Sequence, residues 1–286
     1  MRLLREGRAN RLLGYPDDAR LLIINADDFG MCHAVNAAVI RALEKGLLRS
    51  ATLMVPCPWA LHALHFLADH PKVAFGVHLT VISEWPHYRW GPVTSRDKVP
   101  SLIDEAGYFY TFQRMPELLA QVRLDQLELE FRSQIETVLA AGLEPTHLDW
   151  HALRIGGRAD IVALMVRLAK DYGLALRVFG QSTIEDLQRR GLPTNDYDFL
   201  DSYLLDPVDK QARYAQLLRD LPAGLSEWAV HPALDTAELR AIEPDGKRIR
   251  QKDFDFLISK EAQEIVEEEG IILLDYRPLQ AVWRRM

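Results

Sequence analysis

The sequence predicts an α/β fold, a single barrel-like domain of mostly parallel strands surrounded by helices. Short apolar runs of β type alternate along the chain with segments of helical periodicity, which is typical of a parallel sheet covered by helices. About seven such strand–helix units follow one another, and no linker, fixed-period repeat or low-complexity tract separates them. A chain of 286 residues can hold one large domain or two small ones, and this unbroken series favours one.

The first unit starts at residues 21–25 (LLIIN), a continuous apolar run expected of a strand that is buried on both faces. Residues 32–45 then carry apolar side chains at helical spacing, and Gly46 supplies a helix stop. The next predicted elements are a strand at 51–55, a helix from about 58 to 69 and a strand at 73–79.

Residues 83–115 interrupt this alternation. They are rich in aromatic residues, glycine and proline, and they show little periodicity. A long insertion between regular units is more often a binding loop or a lid than a spacer, and we interpret this segment in that way.

The regular pattern resumes after the insertion. Residues 116–141 predict one long helix or two consecutive helices. Further predicted strands are 146–149, 174–179, 227–231 and 271–274, and further predicted helices are 160–172, 209–221 and 259–269. We therefore expect a barrel domain over residues 20–286, preceded by an N-terminal extension at residues 1–19.

Composition and charge limit the kinds of partner. The chain is 48% hydrophobic and has a formal net charge of −7, which argues against nucleic acid and anionic membranes, because those surfaces attract clustered Lys and Arg. No apolar run approaches the roughly 20 residues that span a bilayer, and charges intersperse residues 1–18, where a signal peptide needs an apolar stretch. We therefore expect a cytoplasmic protein. Cys32 and Cys57 are too few for a disulfide framework, and we expect both to be buried small hydrophobes.

Aspartate and histidine side chains collect at the ends of four predicted strands. In parallel α/β proteins, ligands and catalytic groups gather at the carboxyl ends of the strands. We therefore expect four separate segments to deliver their side chains to one place: Asp27 with Asp28, His78, Asp149 with His151, and His231.

Asp27 and Asp28 stand in the motif ADDFG, directly after the first strand. Two adjacent carboxylates repel each other unless a cation or a proton separates their roles. One interpretation assigns Asp28 to a metal ion and leaves Asp27 as a general base. The alternative makes the pair the N-cap and first-turn acid of the following helix.

His78 and His231 are isolated histidines at strand ends. A histidine such as His78, in GVHLT, is more often a hydrogen-bonded core residue than a metal ligand, although the neighbouring Gly76 permits close approach of another group. His231 precedes Pro232, which ends its strand. Because histidine titrates near neutral pH, His231 is a candidate proton donor to a leaving group.

Residues 146–151 (THLDWH) are denser in metal-ligand types than any other stretch. If the segment is extended, His147, Asp149 and His151 lie on one face and could all point at one centre. Imidazole nitrogens and carboxylate oxygens are the usual donors to zinc and other transition metals, and a further carboxylate often orients a ligating histidine. The alternative is an exposed turn with chance histidines.

The motifs ADDFG, GVHLT and THLDWH, in this order and followed by a late HPA, resemble the YdjC-like carbohydrate deacetylases, the family that includes the chitooligosaccharide deacetylases. The resemblance covers roughly residues 20–280, and residues 248–275 are similar to that family's final helix and strand. It implies a distorted (β/α) TIM-like barrel, one divalent metal ion (Mg or Zn), frequent pairing as a homodimer, and removal of an N-acetyl group from an amino sugar or short oligosaccharide.

The resemblance also implies roles for individual residues. Asp27 would be the base, His231 the histidine on the acid side, and Asp28, His78 and His151 the metal ligands. In this mechanism Asp27 deprotonates a water activated by the cation, the water attacks an acetamide carbonyl, and His231 protonates the departing amine.

One motif departs from the family pattern. Members typically read HLDSHHHVH where this chain reads HLDWHALRI. Trp150 replaces a serine, and Ala152 and Leu153 occupy positions often taken by histidine. We take His151 as the ligand and His147 as the second choice, and we expect an altered wall around the substrate.

Two other functions stay open. Phosphoester hydrolysis would use the same donors, and Arg154 beside Gly156 and Gly157 is the only nearby candidate for phosphate recognition. The other is sugar binding without catalysis. Under either sugar-directed function, the aromatic residues of the insertion would stack on sugar faces or simply cover the core: Trp85, Tyr88, Trp90, Tyr108 and Tyr110.

Overall fold

The computed structural model describes residues 8–153 and 158–286. Arg154, Gly156 and Gly157, considered above for phosphate recognition, lie outside the described residues. The strands are β1 Arg20–Phe29, β2 Ser50–Leu53, β3 Ala74–Leu79, β4 His147–Trp150, β5 Ala175–Leu176, β6 Leu200–Asp201, β7 Gly224–Val230 and β8 Ile272–Leu274. The helices are α1 Arg8–Leu13, α2 His33–Lys45, α3 Ala60–Asp69, α4 Met115–Gln121, α5 Leu124–Ala140, α6 Ala159–Tyr172, α7 Gln181–Arg189, α8 Lys210–Arg219, α9 Ala237–Ile242, α10 Gly246–Leu257, α11 Lys260–Glu268 and α12 Arg277–Trp283.

The strands form one parallel sheet with β1 near its centre. The order is β5-β4-β3-β2-β1-β7-β6, and β8 also pairs with β1. β7 runs alongside most of β1, whereas β8 lies beside its first half and β2 beside its second half. The apolar run at residues 21–24 is fully buried as a result, which confirms the prediction of a strand covered on both faces.

The sheet is curled. Arg177 directly follows β5, at one end of the sheet, and Glu227 lies in β7, five places away in the strand order. In a flat sheet five strand spacings would separate such residues by roughly 24 Å, yet Nε of Arg177 donates a hydrogen bond to Oε1 of Glu227 over 2.6 Å. The parallel sheet therefore forms a curled half-barrel with helices around it, which confirms the predicted α/β barrel-like fold in a distorted form.

The insertion is fastened to the barrel by buried polar side chains of α5. Residues 83–115 contain three short 3-10 helices. The carboxylate of Glu130, which is fully buried, accepts hydrogen bonds from the backbone N–H groups of Val93 and Thr94 over 3.0 Å each. Gln134 accepts from the backbone N–H of Thr80 and donates to its carbonyl. These contacts fix the chain on both sides of residue 84.

Several predicted boundaries shift in ways that affect the site. The first strand was predicted at 21–25 but continues to Phe29, so that Asp27 and Asp28 belong to it. The segment 116–141 forms the two consecutive helices α4 and α5. Cys32 and Cys57 are buried and free, as expected. None of the helices in residues 8–153 and 158–286 combines the length and apolar character needed to cross a membrane.

Candidate active site

A cavity of about 750 Å³ opens at the carboxyl ends of the strands. The structure brings the predicted aspartate and histidine side chains of four strands into its wall, except Asp149, and adds two arginines. The contributions are Asp27 and Asp28 from β1, His78 from β3, His151 after β4, Arg177 after β5, His231 after β7 and Arg250 from α10.

The end of β1 is irregular, and this irregularity lets two adjacent carboxylates face the cavity. Neighbouring residues on a regular strand point to opposite faces of a sheet. The register between β1 and β2 shifts between Ala26 and Phe29, and Asp28 has a φ of 66°, in the left-handed region that few non-glycine residues adopt. A bulge of this kind re-aims a side chain, so Asp27 and Asp28 both line the cavity.

The helix-cap interpretation of this aspartate pair is wrong. α2 begins only at His33, and the backbone N–H groups of His33 and Ala34 donate to the carboxylate of Glu238 over 3.3 and 2.9 Å. Glu238 therefore satisfies the start of the helix, and the aspartates bind other side chains.

Asp28, His78 and His151 form a compact group of metal donors. Each offers one ligand atom, and these atoms lie within 4.8 Å of one another. Oδ1 of Asp28 is 3.5 Å from Nε2 of His78 and 3.1 Å from Nδ1 of His151, and all three side chains are buried. One carboxylate and two imidazoles are the donor set of many catalytic zinc sites, which leave further positions for water and substrate. The residues present therefore fit a divalent cation.

Asp149 stands behind one of these imidazoles. Nδ1 of His78 donates to Oδ1 of Asp149 over 2.6 Å, which leaves Nε2 facing Asp28. The other oxygen of Asp149 accepts from the hydroxyl of Thr52 over 3.0 Å. Asp149 thus occupies the place of the orienting carboxylate that fixes the ring and the tautomer of a ligating histidine.

A second group of donors, Asp27, His78 and Asp149, is compact as well, but an arginine already neutralises its carboxylates. Nη1 and Nη2 of Arg177 donate to the two oxygens of Asp27 over 2.7 and 2.9 Å. Nη1 is also 3.0 Å from Oδ2 of Asp149. Because this guanidinium already supplies positive charge here, the first group is the better candidate for a cation.

The two aspartates are both held in the ionised form. Burial alone would raise the pKa of Asp27, but the Arg177 guanidinium outweighs it and holds that pKa well below its usual range. Burial would likewise raise the pKa of Asp28, but Arg250 in α10 outweighs it and lowers that pKa strongly. Nη2 of Arg250 donates to Oδ2 of Asp28 over 2.8 Å, which leaves Oδ1 for the two histidines.

His231 lies beside Asp27 in the cavity wall. Its Nε2 is 3.9 Å from Oδ2 of Asp27, and its Nδ1 is 2.8 Å from the hydroxyl oxygen of Ser202. Its backbone N–H donates to the carboxylate of Asp253 over 2.9 Å. The imidazole is therefore fixed at Nδ1, and within the described residues its Nε2 faces the cavity beside Asp27, where a proton donor to substrate is needed.

His147 lies apart from this centre. Its ring stacks on Tyr276 with ring centroids 3.6 Å apart, and it fills the space that a side chain at Gly76 would need. Burial, followed by the charge of Arg177, lowers the pKa of His147 well below its usual value, so the ring is neutral. In the part of the chain that the structure describes, neither group of donors includes His147. Of the three side chains expected to meet at one centre, His151 belongs to the first donor group and Asp149 to the second, whereas His147 belongs to neither.

Aromatic and aliphatic side chains form the outer wall of the cavity. The wall includes Trp150, Ala152 and Leu153, the three residues expected to alter it. The further apolar lining residues are Phe112, Phe179, Phe199, Tyr203 and Leu204. The aromatic residues considered for stacking, Trp85, Tyr88, Trp90, Tyr108 and Tyr110, are not among the described residues that line it. Trp90 and Tyr110 are buried, so for them core packing is the better interpretation.

Arg177 and Arg250 were not predicted as site residues. Arg177 interrupts the apolar run LALRVF, and a charged residue in a buried strand was the available signal. Arg250 stands in GKRIRQKDF, where charged residues on both sides hide the buried one. Only the fold reveals that its guanidinium is 1% exposed and bound to Asp28.

We expect the metal affinity to rise steeply with pH. Burial alone would lower the pKa of His78, but Asp149 and Asp27 outweigh it and raise the pKa to about 10. Glu84 and Asp28 outweigh burial in the same way and raise the pKa of His151 to about 9. Both imidazoles therefore carry a proton at pH 7 in the metal-free protein and must release it to bind a cation.

The apparent Zn²⁺ affinity should therefore rise about 10- to 100-fold per pH unit between about pH 6.5 and 8.5. Since both pKa values are raised by folding, the protonated pair stabilises the metal-free protein below about pH 6.5, and this contribution is lost as the pH rises through about 9 to 10. Calorimetric titration with Zn²⁺ in buffers of different protonation enthalpy measures the protons released. Binding without proton release would contradict this ligand set.

Comparisons with known proteins find similar sequences and a similar structure. Residues 21–268 match the family model described as YdjC-like protein. The chain is 33% identical over 273 residues to a carbohydrate deacetylase of Enterococcus faecalis, covering 90% of this chain and 97% of that protein. It is 34% identical over 259 residues to a carbohydrate deacetylase of Thermus thermophilus, covering 87% and 90%. The crystal structure of a proposed cellobiose-phosphate cleavage protein from Enterococcus faecalis matches with a TM-score of 0.77 at 30% identity, over 91% of this chain and 99% of that one.

Proposed function

The chain belongs to the YdjC-like protein family, and on that premise we propose that it is a metal-dependent carbohydrate deacetylase, which removes the N-acetyl group of an amino sugar or short oligosaccharide. One observation carries the proposal. The donor group of Asp28, His78 and His151 lies in one cavity with the ionised carboxylate of Asp27 and the imidazole of His231. The relatives that match nearly the whole chain are carbohydrate deacetylases.

The cation site supports the chemistry of amide hydrolysis. Asp28, His78 and His151 hold the ion, and their two imidazoles favour zinc over magnesium, which prefers oxygen ligands. When bound, a divalent cation supplies Lewis acidity, which lowers the pKa of water and polarises an acyl oxygen.

Asp27 and His231 carry the proton transfers in this proposal. Arg177 holds the carboxylate of Asp27 in one orientation, and Oδ2 of Asp27 accepts the proton of the attacking water. The hydroxide adds to the acetyl carbon, the C–N bond breaks, and Nε2 of His231 gives a proton to the departing nitrogen. Ser202 holds the opposite nitrogen of that ring. The products are acetate and a free amino sugar.

The charge of the cavity favours a neutral substrate over a phosphate ester. Among the described residues, five carboxylates line it, those of Asp27, Asp28, Glu84, Asp198 and Asp201, against the two guanidinium groups of Arg177 and Arg250. Both guanidinium groups are bound to carboxylates already. With a divalent cation bound, these groups carry a net charge of about −1, which does not attract a phosphate dianion, whereas a neutral N-acetyl sugar is not repelled.

Acetate release tests the proposal directly. We expect protein loaded with Zn²⁺ or Mg²⁺ to release one acetate per N-acetylated amino sugar, with N-acetylglucosamine and its short β-linked oligomers as first substrates. Protein stripped with a chelator should release none, and p-nitrophenyl phosphate should stay intact. Phosphate release without acetate would establish a phosphoesterase instead, and bound metal without hydrolysis of any acetylated sugar would favour a sugar-binding protein.

A further inference from the structure

The insertion places a carboxylate directly behind His151. Oε2 of Glu84 lies 3.0 Å from Nε2 of His151, and the His151 side chain is only 4% exposed. Both atoms are buried, and within residues 8–153 and 158–286 neither has a hydrogen-bond partner. Two buried polar atoms without hydrogen-bond partners destabilise the fold, unless they form a hydrogen bond with each other.

This pair repeats an arrangement on the other imidazole of the site. His78 turns Nε2 towards Asp28 and Nδ1 towards Asp149. His151 turns Nδ1 towards Asp28 and Nε2 towards Glu84. Each ring therefore has a carboxylate on the side opposite Asp28, and a carboxylate in that position orients a ligating imidazole and makes it a better donor.

The segment that carries Glu84 is held firmly. The backbone N–H of Ser83 donates to the carbonyl of Tyr110 over 2.9 Å, and the hydroxyl of Ser83 accepts from the backbone N–H of Trp90 over 3.1 Å. The indole N–H of Trp90 donates to the carbonyl of Ile82 over 2.8 Å. The position of Glu84 is thus set by the fold of the insertion itself.

We propose that Glu84 is a positioning residue of the metal site, whose carboxylate accepts the Nε2 proton of His151 and so presents Nδ1 as the donor nitrogen. The proposal rests on the proposed metal-dependent function. It gives the insertion a task at the cation site in addition to bordering the substrate cavity.

The test compares Glu84→Gln with Glu105→Gln by Zn²⁺ affinity. Glu105 belongs to the same insertion, but it is 79% exposed and binds Arg114, so its replacement is a matched control. We expect Glu84→Gln to lower the Zn²⁺ affinity, measured by competition with a chelating dye, by about 10- to 100-fold. The Tm of the Zn²⁺-loaded protein should fall more than that of the metal-free protein, and Glu105→Gln should behave as wild type. The absorption bands of Co²⁺-loaded protein should shift in Glu84→Gln alone.

The other possible results of this experiment each support or overturn the proposed role of Glu84. Wild-type Zn²⁺ affinity in Glu84→Gln would overturn the proposal, and so would an equal fall in Tm with and without metal, because that result describes a structural role. A wild-type protein that binds neither Zn²⁺ nor Co²⁺ would overturn both this proposal and the proposed function. If Glu84→Gln weakens Zn²⁺ binding but the wild type releases no acetate, the role of Glu84 stands and the proposed function fails.

Discussion

Replacing Asp28 by asparagine is expected to abolish metal binding and, with it, hydrolysis. Asp28 supplies the only carboxylate of the donor group, and its Oδ1 lies within 3.5 Å of a nitrogen of each histidine. Asparagine is the informative replacement, because the φ of 66° at this position is better tolerated by asparagine than by alanine. It removes the charge and keeps an oxygen for Arg250. We expect the Zn²⁺ affinity to fall by at least about 1,000-fold, or about 4 kcal/mol, and acetate release to fall below detection.

Asp198→Asn is the matched control for this experiment. Asp198 lines the same cavity but belongs to neither donor group of the described residues. Its replacement should leave the Zn²⁺ affinity close to wild type. If Asp28→Asn bound Zn²⁺ as tightly as wild type, the ligand assignment would be wrong, and Asp27, His78 and Asp149 would be the next set of donors to examine.

Asp27→Asn should separate catalysis from metal binding. Loss of a general base typically lowers kcat by about 10²- to 10⁴-fold, whereas the donors of the cation stay in place, so the Zn²⁺ affinity should change by no more than a few-fold. Steady-state kinetics of acetate release and dye competition measure the two quantities.

The hydrogen bonds of Asp27 add a stability effect that must be measured beside the kinetics. Oδ1 accepts from Asn25 and Arg177, and Oδ2 accepts from Arg177. An amide NH₂ at either position would oppose another donor, at a cost of about 1–3 kcal/mol. The variant should therefore have a lower Tm but remain folded at 25 °C. An unchanged kcat would exclude Asp27 as the base, and a parallel loss of Zn²⁺ affinity would make it a ligand.

The sequence predicts which strand ends form the site, but it does not predict which side chains of one strand reach it. The strand-end rule correctly brings residues of β1, β3, β4 and β7 to one cavity, because parallel strands end at the same edge of a sheet. Alternation along a strand predicts that His147 and His151 share a face. Four residues of extended strand separate the two histidines by roughly 13 Å along that face, and alternation alone does not predict which of them lies at the cavity. His147 consequently packs on Tyr276 in the barrel interior and His151 reaches the rim.

The charge pairing of the site could not be read from periodicity. α10 was not predicted as a helix, because the side chains it buries include Arg250 and Asp253 as well as apolar ones, and a polar buried face gives no apolar stripe. The partner of each buried charge lies far away in sequence. Asp27 and Arg177 are 150 residues apart, and Asp28 and Arg250 are 222 apart. Such pairs follow from the curled sheet and not from any local pattern.

The guanidinium of Arg177, at the β5 end of the curled sheet, binds Glu227 on β7, next to the opposite end, while it also holds Asp27. The curvature of the sheet and the orientation of the proposed base Asp27 thus depend on the same guanidinium group. A motion that moves β5 away from β7 would therefore also weaken the hydrogen bonds that hold the carboxylate of Asp27. We therefore expect substitutions that alter the packing between these two strands to change the turnover rate even where they leave the donor group intact.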